Sequence, residues 1–276
     1  MLEIQLITMD MDGTTFQDDH VTIPPRNITA LRAAAERGIA LAITTGRAWS
    51  QVQEAAEQLG CISWAVTANG ASALDLTQGE WLWHTGIPAE QRRAMTTLLL
   101  KRGLPFEVYA QGDSYIQQER AEQVIASSPS PEYGEVLRRR CRFVADLNAA
   151  LEERPTEKIH IFSVPAGQRA ALVEELRTLG PVDVDSAFGA NMELIAPGVN
   201  KAVAVAELCR RLNLGPEQVM AFGDAGNDEA LLRWAGWSFA VANASEGAKG
   251  AAKHLTASNE AGGVGLAVER YVLGRA

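Results

Sequence analysis

Apolar and polar positions alternate in blocks along the first 70 residues of the chain. Strand-like apolar runs lie at 4–9, 39–45 and 64–70, and amphipathic segments at 24–38 and 48–60 separate them. The first amphipathic segment begins with two prolines and both end at a glycine, which is typical of helices. Nearly continuous apolar strands that alternate with helices predict a parallel sheet covered by helices on both faces.

The same alternation returns near the end of the chain. Helical patterns cover 201–213 and 228–236, and strand patterns cover 191–198, 218–224 and 238–242. The chain contains no internal repeat and no low-complexity tract. The two outer parts of the chain therefore predict one doubly wound α/β domain.

The middle of the chain has a different pattern of apolar and polar residues. A hairpin pattern at 71–86 is followed by helical segments, a Ser/Pro-rich linker and several short strands; these segments are helix 89–102, strands 105–110 and 114–118, linker 126–134, strand 158–164, helix 167–180 and strand 182–187. The segment is long enough for a small core of its own. We predict an α/β fold with a doubly wound parallel-sheet core at 1–85 and 191–276, and an inserted mixed α/β domain at 86–190.

Composition narrows the class of protein. Of the 276 residues, 47% are hydrophobic and 21% are charged, which is an ordinary globular balance. The net charge of −9 argues against nucleic acid or an anionic membrane as the main partner. The first residues show no signal-peptide pattern, no apolar run is long enough to span a membrane, and the three cysteines are far apart. These features predict a soluble cytoplasmic protein with free thiols.

Polar residues follow the predicted core strands at their carboxyl ends. The motifs there read DMDGT, TTGR, NG and GDAGND in chain order. In open α/β sheets, ligands bind at this edge of the sheet. We therefore expect Asp10, Asp12, Asp224 and Asp228 to converge in one cleft.

Four carboxylates in one cleft repel one another strongly unless a cation compensates them, and Mg²⁺ is the usual oxygen-bound cation beside phosphate. Lys201, at the start of a predicted helix, is the best basic candidate, and Thr45 and Asn227 can hydrogen-bond phosphate oxygens. Each motif alone has a structural explanation, since DMDGT could be a calcium-like loop or a solvated turn and GDAGND a helix N-cap with acids in its first turn. Their joint occurrence favours a site for an anion and its metal.

Together these motifs resemble the haloacid dehalogenase superfamily and, within it, the Cof-type sugar-phosphate phosphatases. The resemblance rests on DMDGTTF, TTGRAW, TANGA, ELIAPGVNKAVAV, AFGDAGNDEALLRWAG and the tail AVANASEGAKGAAKHLTASNEAGGVGLAVE, and it extends over nearly the whole chain. It implies a Rossmann-like core interrupted by a mixed α/β cap domain, which matches the segment at 86–190. The implied activity is Mg²⁺-dependent hydrolysis of a phosphomonoester of a small metabolite, with a sugar phosphate as the expected substrate.

The resemblance also implies a role for each site residue. Asp10 would be the nucleophile that forms an aspartyl-phosphate, and Asp12 would be the general acid–base. The groups that would hold the phosphoryl group come from three motifs: Thr45, Gly46, Lys201 and Asn227. The groups that would bind Mg²⁺ are oxygens: a carboxylate oxygen of Asp10, the main-chain carbonyl of Asp12, and a carboxylate oxygen of Asp224. Asp228 would support the metal site from behind its ligands without binding the ion itself.

Other positions carry weaker signals. Arg47 is typical of the family's TGR stretch, and the sequence leaves open whether it pairs structurally or contacts the substrate. Thr15 and Ala242 differ from the family's common leucine and glycine and indicate packing variation. The four histidines show no metal-ligand spacing and are expected to be ordinary surface or core residues, while Trp49 could line the cleft entrance. Polar residues at predicted cap strand ends are candidates to contact the leaving group: Asp113, Ser114, Tyr115 and Glu157.

Two alternative functions stay open at this stage. A phosphomutase or phosphotransferase would pass the aspartyl-phosphate to a second alcohol, and the motifs do not separate that reaction from hydrolysis. A phospho-acceptor module would keep a long-lived acyl phosphate for a partner to recognise. Asp12 argues against the second alternative, because a base placed to activate water shortens the life of that intermediate. The sequence carries no signal for the oligomeric state.

Overall fold

The computed structural model describes residues 4–185 and 190–275 of the chain. The first part forms strands and helices close to the predicted ranges. In chain order they are β1 (Leu6–Met9), α1 (Pro25–Glu36), β2 (Ala40–Thr44), α2 (Trp49–Leu59), β3 (Trp64–Thr67), β4 (Ser72–Asp75) and β5 (Glu80–His84).

The middle of the chain forms a second group of elements around its own sheet, and we call this group the cap. In chain order they are α3 (Ala89–Lys101), β6 (Phe106–Ala110), β7 (Asp113–Gln117), α4 (Ala121–Ala126), α5 (Pro131–Arg140), β8 (Cys141–Val144), α6 (Leu147–Leu151), β9 (Lys158–Ile161), α7 (Arg169–Thr178), β10 (Asp183–Asp185) and β11 (Met192–Ile195). The last two residues of the predicted strand 182–187 lie outside the described residues.

The last part of the chain returns to the first sheet. Its elements are α8 (Lys201–Leu212), β12 (Val219–Gly223), α9 (Glu229–Trp234), β13 (Trp237–Ala240), α10 (Glu246–Ala251), β14 (His254–Leu255) and α11 (Gly263–Tyr271). Among the residues that the structure describes, no helix is both long and apolar enough to cross a membrane.

The core sheet has the strand order β14-β13-β12-β1-β2-β3-β4-β5. Its strands are parallel from β14 to β3, and β4 and β5 follow as an antiparallel hairpin at one edge. The predicted doubly wound parallel sheet is therefore confirmed. The chain progresses outward from β1 on one side and returns on the other through β12, so a crevice opens at the carboxyl ends of these strands.

The cap sheet has the order β10-β11-β9-β6-β7-β8 and is antiparallel except for the β7–β8 pair. The position of β11 corrects the sequence prediction, which assigned the strand at 191–198 to the core sheet. β11 pairs with β9, with Met192 opposite Ile161, and its apolar side chains pack in the cap core. A short apolar strand carries no information about which of two sheets it joins. We therefore propose a domain boundary after Ile195 instead of at residue 191.

The Ser/Pro-rich stretch at 126–134 is a second correction. The sequence predicts a linker there, but α4 ends at Ala126 and α5 begins at Pro131. The Ser130 hydroxyl accepts a hydrogen bond from the Tyr133 amide at 3.0 Å, and Pro131 occupies the first helical position. Ser at the N-cap and Pro at N1 are standard helix-start residues, so this composition marks the beginning of a helix.

Candidate active site

The carboxyl ends of three neighbouring core strands bring the predicted site residues together. β1 pairs in register with β12 and β2, with Met9 opposite Phe222 and Ile43. The next residues along β1 and β12 include Asp10 and Asp224, which therefore lie side by side above the sheet. Tertiary pairing thus collects groups that are more than 200 residues apart in the chain.

A buried lysine joins two of these carboxylates. Lys201, the first residue of α8, donates from Nζ to Asp10 Oδ1 at 2.7 Å and to Asp228 Oδ1 at 2.7 Å. The Lys201 side chain is 1% exposed, and the Asp10 side chain is 6% exposed. Asn200 holds this end of α8 by accepting a hydrogen bond from the Val203 amide at 2.9 Å. Lys201 therefore lies beneath Asp10 and not in the open cleft.

Asp228 has both carboxylate oxygens occupied. Besides Lys201, it accepts hydrogen bonds at Oδ2 from the amides of Asp224 and Ala225, at 3.0 and 3.1 Å. Asp224 accepts at Oδ1 from the Thr14 hydroxyl at 2.9 Å. Gly13 lies against Asp224 with a φ of +71°, and a Cβ there would be 2.6 Å from Asp224 Oδ2. The glycine of the DMDGT motif is thus required by both its backbone conformation and this close approach.

The carboxylate cluster carries more negative charge than its lysine can balance. Oxygens of Asp10, Asp224 and Asp228 lie within 4.8 Å of one another. Burial raises the pKa of Asp10 well above its ordinary value, and the nearby Asp228 and Asp224 raise it further against the charge of Lys201. Burial and Asp228 also raise the pKa of Asp224 to about 7. A crowded, oxygen-only donor set with excess negative charge fits a hard divalent cation such as Mg²⁺.

Asp12 lies outside this cluster and has its own partners. Arg47 donates from Nε to Asp12 Oδ2 at 2.7 Å, and its Nη2 contacts Asp12 Oδ1. His20 Nδ1 lies 2.8 Å from Asp12 Oδ1. Burial acts to raise the pKa of Asp12, but Arg47 and His20 outweigh this effect and hold the pKa well below its ordinary value. Asp12 is therefore held as a carboxylate, and the pairing that the sequence left open for Arg47 is with this residue.

The remaining predicted residues surround the mouth of the cluster. Gly46 and Asn227 line the cleft, and Thr45 is buried directly before Gly46 with its hydroxyl accepting a hydrogen bond from the Arg47 amide at 3.2 Å. Asn69, from the TANGA motif, accepts from Asn227 Nδ2 at 3.3 Å. A Cβ at Gly46 would be 2.9 Å from Asn69 Oδ1, so a larger residue there would displace the Asn69 side chain.

The cleft lies between this edge of the core and one face of the cap sheet. That face is polar where β6, β9 and β11 meet: it carries Glu107, Tyr109, Lys158, His160 and Glu193. Lys158 Nζ donates to Glu193 Oε1 at 2.6 Å, and Asn69 of the core donates to Glu193 Oε2 at 2.6 Å. His160 Nδ1 lies 2.9 Å from Glu107 Oε1. The opposite face of the same strands forms the apolar cap core.

Sequence reasoning missed this polar face, although a signal for it exists. The strands FEVYA and KIHI alternate polar and apolar residues, and the polar side chains of one strand all point to one face. Those alternate positions are Glu107, Tyr109, Lys158 and His160. The expectation that the histidines are ordinary surface or core residues was wrong for two of them, because His20 and His160 line the cleft.

The cap residues named as leaving-group candidates from the sequence are not among the described residues that line the cleft. Asp113 pairs with Arg142 at 2.7 Å. Ser114 donates to Glu107 at 2.6 Å. The Tyr115 hydroxyl accepts from Arg154, and Glu157 contacts His84 Nδ1 at 2.5 Å. Trp49 packs against the core cluster and does not line the cleft. These side chains therefore serve the structure of the cap and its junction with the core.

Comparison with known proteins agrees with this architecture. A sequence model of the haloacid dehalogenase-like hydrolases matches residues 7–268. The chain is 28% identical to the 5-amino-6-(5-phospho-D-ribitylamino)uracil phosphatase YcsE of Bacillus subtilis, over 99% of this chain and 97% of that protein. It is 26% identical to the HMP-PP phosphatase of Serratia proteamaculans, over 87% of this chain and 84% of that protein.

Solved structures of haloacid dehalogenase-like hydrolases have the same fold as this chain. A haloacid dehalogenase-like hydrolase from Bacteroides thetaiotaomicron superposes with a TM-score of 0.84 at 25% identity, covering 97% of this chain and 99% of the other. A haloacid dehalogenase-like hydrolase from Bacillus subtilis also gives a TM-score of 0.84, at 26% identity, covering 97% of this chain and the whole of the other.

Proposed function

The chain belongs to the haloacid dehalogenase-like hydrolase family and is an enzyme of the phosphatase type, and from this premise we propose that it hydrolyses the phosphomonoester of a small metabolite, a sugar phosphate, through an aspartyl-phosphate. One observation carries the proposal. Asp10 stands buried at the floor of a cleft, hydrogen-bonded to Lys201 and beside a carboxylate cluster suited to a divalent cation. A nucleophile, positive charge and a metal site at one point are what phosphoryl transfer requires.

The metal is proposed to be Mg²⁺. Asp10, the main-chain carbonyl of Asp12 and Asp224 would hold it, and Asp228 would support the site from behind, where its own oxygens are already hydrogen-bonded. When bound, the ion supplies positive charge that offsets the phosphoryl oxygens and the crowded carboxylates.

The reaction proceeds in two displacements. A carboxylate oxygen of Asp10 attacks phosphorus and forms an O–P bond while the ester O–P bond breaks, and the leaving alkoxide takes up a proton from Asp12. Water then attacks phosphorus and gives a proton to Asp12 while the bond between the Asp10 oxygen and phosphorus breaks, which releases inorganic phosphate and restores the Asp10 carboxylate. The covalent step divides one difficult displacement into two easier ones. Thr45, Gly46 and Asn227 would hold the phosphoryl group, and Lys201 would supply positive charge from beneath Asp10.

The environment of Asp12 favours the second of its two roles. Because Arg47 and His20 keep Asp12 ionised, the carboxylate is ready to accept a proton from water. To protonate a leaving alcohol, it must first take up a proton when the substrate arrives. The proposal therefore includes a change in the Asp12 ion pair during the first displacement.

The leaving group is proposed to contact the polar face of the cap. Lys158 Nζ donates one hydrogen bond to Glu193. A Cβ at Gly46 would be only 3.3 Å from Nζ, so Lys158 lies next to the TTGR motif that is predicted to hold the phosphoryl group. His160 directs Nδ1 to the Glu107 carboxylate, which leaves Nε2 for a hydrogen bond to a ligand. Two polar groups that are two residues apart on one face of β9 suit hydroxyl groups, which can both give and receive hydrogen bonds.

Lys158→Met tests this assignment. We expect KM for the ester to rise about 10- to 100-fold, the equivalent of one or two lost charged hydrogen bonds, while the Ki of inorganic phosphate changes less than about threefold. Steady-state kinetics with phosphate as a competitive inhibitor measures both quantities. Lys101→Met, at the exposed end of α3, is the matched control. An equal rise in KM for the ester and in the Ki of inorganic phosphate would instead indicate that Lys158 contacts the phosphoryl group.

Asp224→Ala tests the metal site with two readouts. In the wild type, Mg²⁺ is expected to raise the melting temperature, because a ligand bound only to the folded state stabilises it. The variant should lose this Mg²⁺-dependent rise, and its turnover should need at least about tenfold more Mg²⁺. Asp113→Ala, which removes a carboxylate far from the cluster, should keep both responses. An unchanged Mg²⁺ response in Asp224→Ala would remove this residue from the proposed ligands.

The function as a whole is tested by phosphate release from a panel of sugar phosphates and other phosphomonoesters, with Mg²⁺ and with EDTA. Metal-dependent release from a narrow group of esters is expected and would name the substrate class. Parallel assays with an added alcohol acceptor detect transfer in place of hydrolysis. No release from any ester by folded protein would overturn the hydrolase proposal, and the same panel run in a cell extract fraction would show whether the activity is cytoplasmic, as the sequence predicts.

A further inference from the structure

Arg47 directs its hydrogen bonds at Asp12 and the backbone beside it. The guanidinium is buried, donates from Nε to Asp12 Oδ2 at 2.7 Å, and contacts Asp12 Oδ1 with Nη2. Nη2 also donates to the main-chain carbonyl of His20 at 2.7 Å. The third nitrogen, Nη1, is buried and has no hydrogen-bond partner among the described residues. The planar guanidinium thus contacts both oxygens of the Asp12 carboxylate and sets the orientation of that carboxylate.

Aromatic rings from both domains lie against the guanidinium. The ring of Tyr133, on α5 of the cap, has its centroid 4.1 Å from the Arg47 guanidinium carbon. The ring of Phe16, in the core, has its centroid 5.0 Å from the same atom. Stacking on aromatic faces restricts a guanidinium to one plane and excludes water from it. The plane of Arg47 therefore depends on where the cap lies.

We propose that Arg47 is a positioning residue for Asp12, and that Tyr133 of the cap holds Arg47 in place, so that the acid–base carboxylate is correctly oriented only while the cap covers the core. This inference rests on the phosphatase function proposed above. The chain of contacts runs from a cap helix through one stacked side chain to the group that moves the proton. When the cap closes over a substrate, the same movement therefore brings the Asp12 carboxylate into its working orientation.

The alternative is that Arg47 binds the phosphoryl group of the substrate. The geometry opposes it, because an arginine that binds phosphate presents its fork to the ligand. Here the fork is occupied by Asp12, and the remaining nitrogen is buried. A bidentate contact of this residue with the phosphoryl group through Nε and Nη2 would require the ion pair with Asp12 to break.

A double-mutant cycle tests the coupling. Arg47→Lys keeps the charge but loses the planar fork, and Tyr133→Leu removes the cap ring. Each single variant is expected to lower kcat about 10- to 100-fold, the size of effect that follows from a misplaced catalytic group. KM and the Ki of inorganic phosphate should stay within about threefold of wild type. The double variant should be no more than about threefold slower than Arg47→Lys, because Tyr133 acts through Arg47.

Arg140→Gln is the matched control. Arg140 also lies on α5 and forms an ion pair at 2.6 Å with Glu54 of α2, so it joins the same two domains without touching Arg47. Its kcat should equal that of the wild type. A loss in Arg140→Gln as large as in Tyr133→Leu would show that a loosened cap is the cause and would overturn the inference.

Other outcomes also decide the matter. Effects of Arg47→Lys and Tyr133→Leu that multiply would remove the link between them, and a raised phosphate Ki in Arg47→Lys would assign the residue to phosphoryl binding. If Arg47→Lys does not fold, Tyr133→Leu alone decides: lower kcat at constant phosphate Ki supports the inference, and unchanged kcat overturns it. Absence of turnover in the wild type would overturn the proposed function itself, whereas normal turnover in both variants would overturn only this inference.

Discussion

Asp10→Asn is expected to lower turnover to below about a thousandth of the wild-type rate. The amide has nearly the same volume as the carboxylate but cannot attack phosphorus, so no aspartyl-phosphate can form. The fold should persist. Burial raises the pKa of Asp10, and the nearby carboxylates of Asp228 and Asp224 add to that shift, so a neutral side chain removes an unfavourable charge. Phosphate release measures the loss of turnover, and thermal unfolding of the same preparation shows whether the fold persists.

Asp18→Asn is the control for this substitution. Asp18 is exposed and lies a few residues away on the core surface. Its variant should keep wild-type turnover. Covalent trapping of labelled phosphate in acid provides a further readout, with label expected on the wild type and none on Asp10→Asn. Residual turnover above about a thousandth of the wild-type rate would exclude Asp10 as the nucleophile.

Lys201→Met is expected to have the second largest effect. Lys201 is buried and donates hydrogen bonds at 2.7 Å to both Asp10 and Asp228. Without its charge, the carboxylate cluster loses its compensation, and breaking a buried ion pair in this way typically costs about 3–5 kcal/mol of unfolding free energy. Turnover should fall about 100- to 1000-fold, the usual cost of one group that stabilises charge in the transition state. Denaturant unfolding and steady-state kinetics measure the two losses.

Lys249→Met controls for the removal of a lysine. Lys249 pairs with Glu246 at 3.1 Å at the surface of α10, where an ion pair contributes about 0–1 kcal/mol. Its variant should resemble the wild type in stability and rate. If Lys201→Met kept more than about a tenth of wild-type turnover, Lys201 would be a structural partner of Asp228 and not part of the reaction.

The sequence predicted the core domain well because its signals are local. Short apolar strands separated by amphipathic helices describe a buried parallel sheet, and the motifs after those strands identify the edge that binds ligands. Ranges such as 39–45 for β2 (Ala40–Thr44) and 201–213 for α8 (Lys201–Leu212) agree with the structure to within about a residue or two. The predictions failed where one local signal fits two structures. The strand at 191–198 joined the other sheet, and the Ser/Pro-rich stretch before Tyr133 began a helix.

The sequence by itself determined the fold class, the family and which side chains carry the proposed chemistry, because residue type and spacing suffice to specify strands, helices and motifs. The tertiary structure alone decided which of these groups meet. The pairing of Arg47 with Asp12, the stacking of Tyr133 on that arginine, and the contact of Asn69 with Glu193 all cross from one part of the chain to another. The first of these contacts depends on which strands are neighbours in the core sheet, and the other two depend on how the cap is placed against the core. Both are set by the packing of whole surfaces and not by any local pattern.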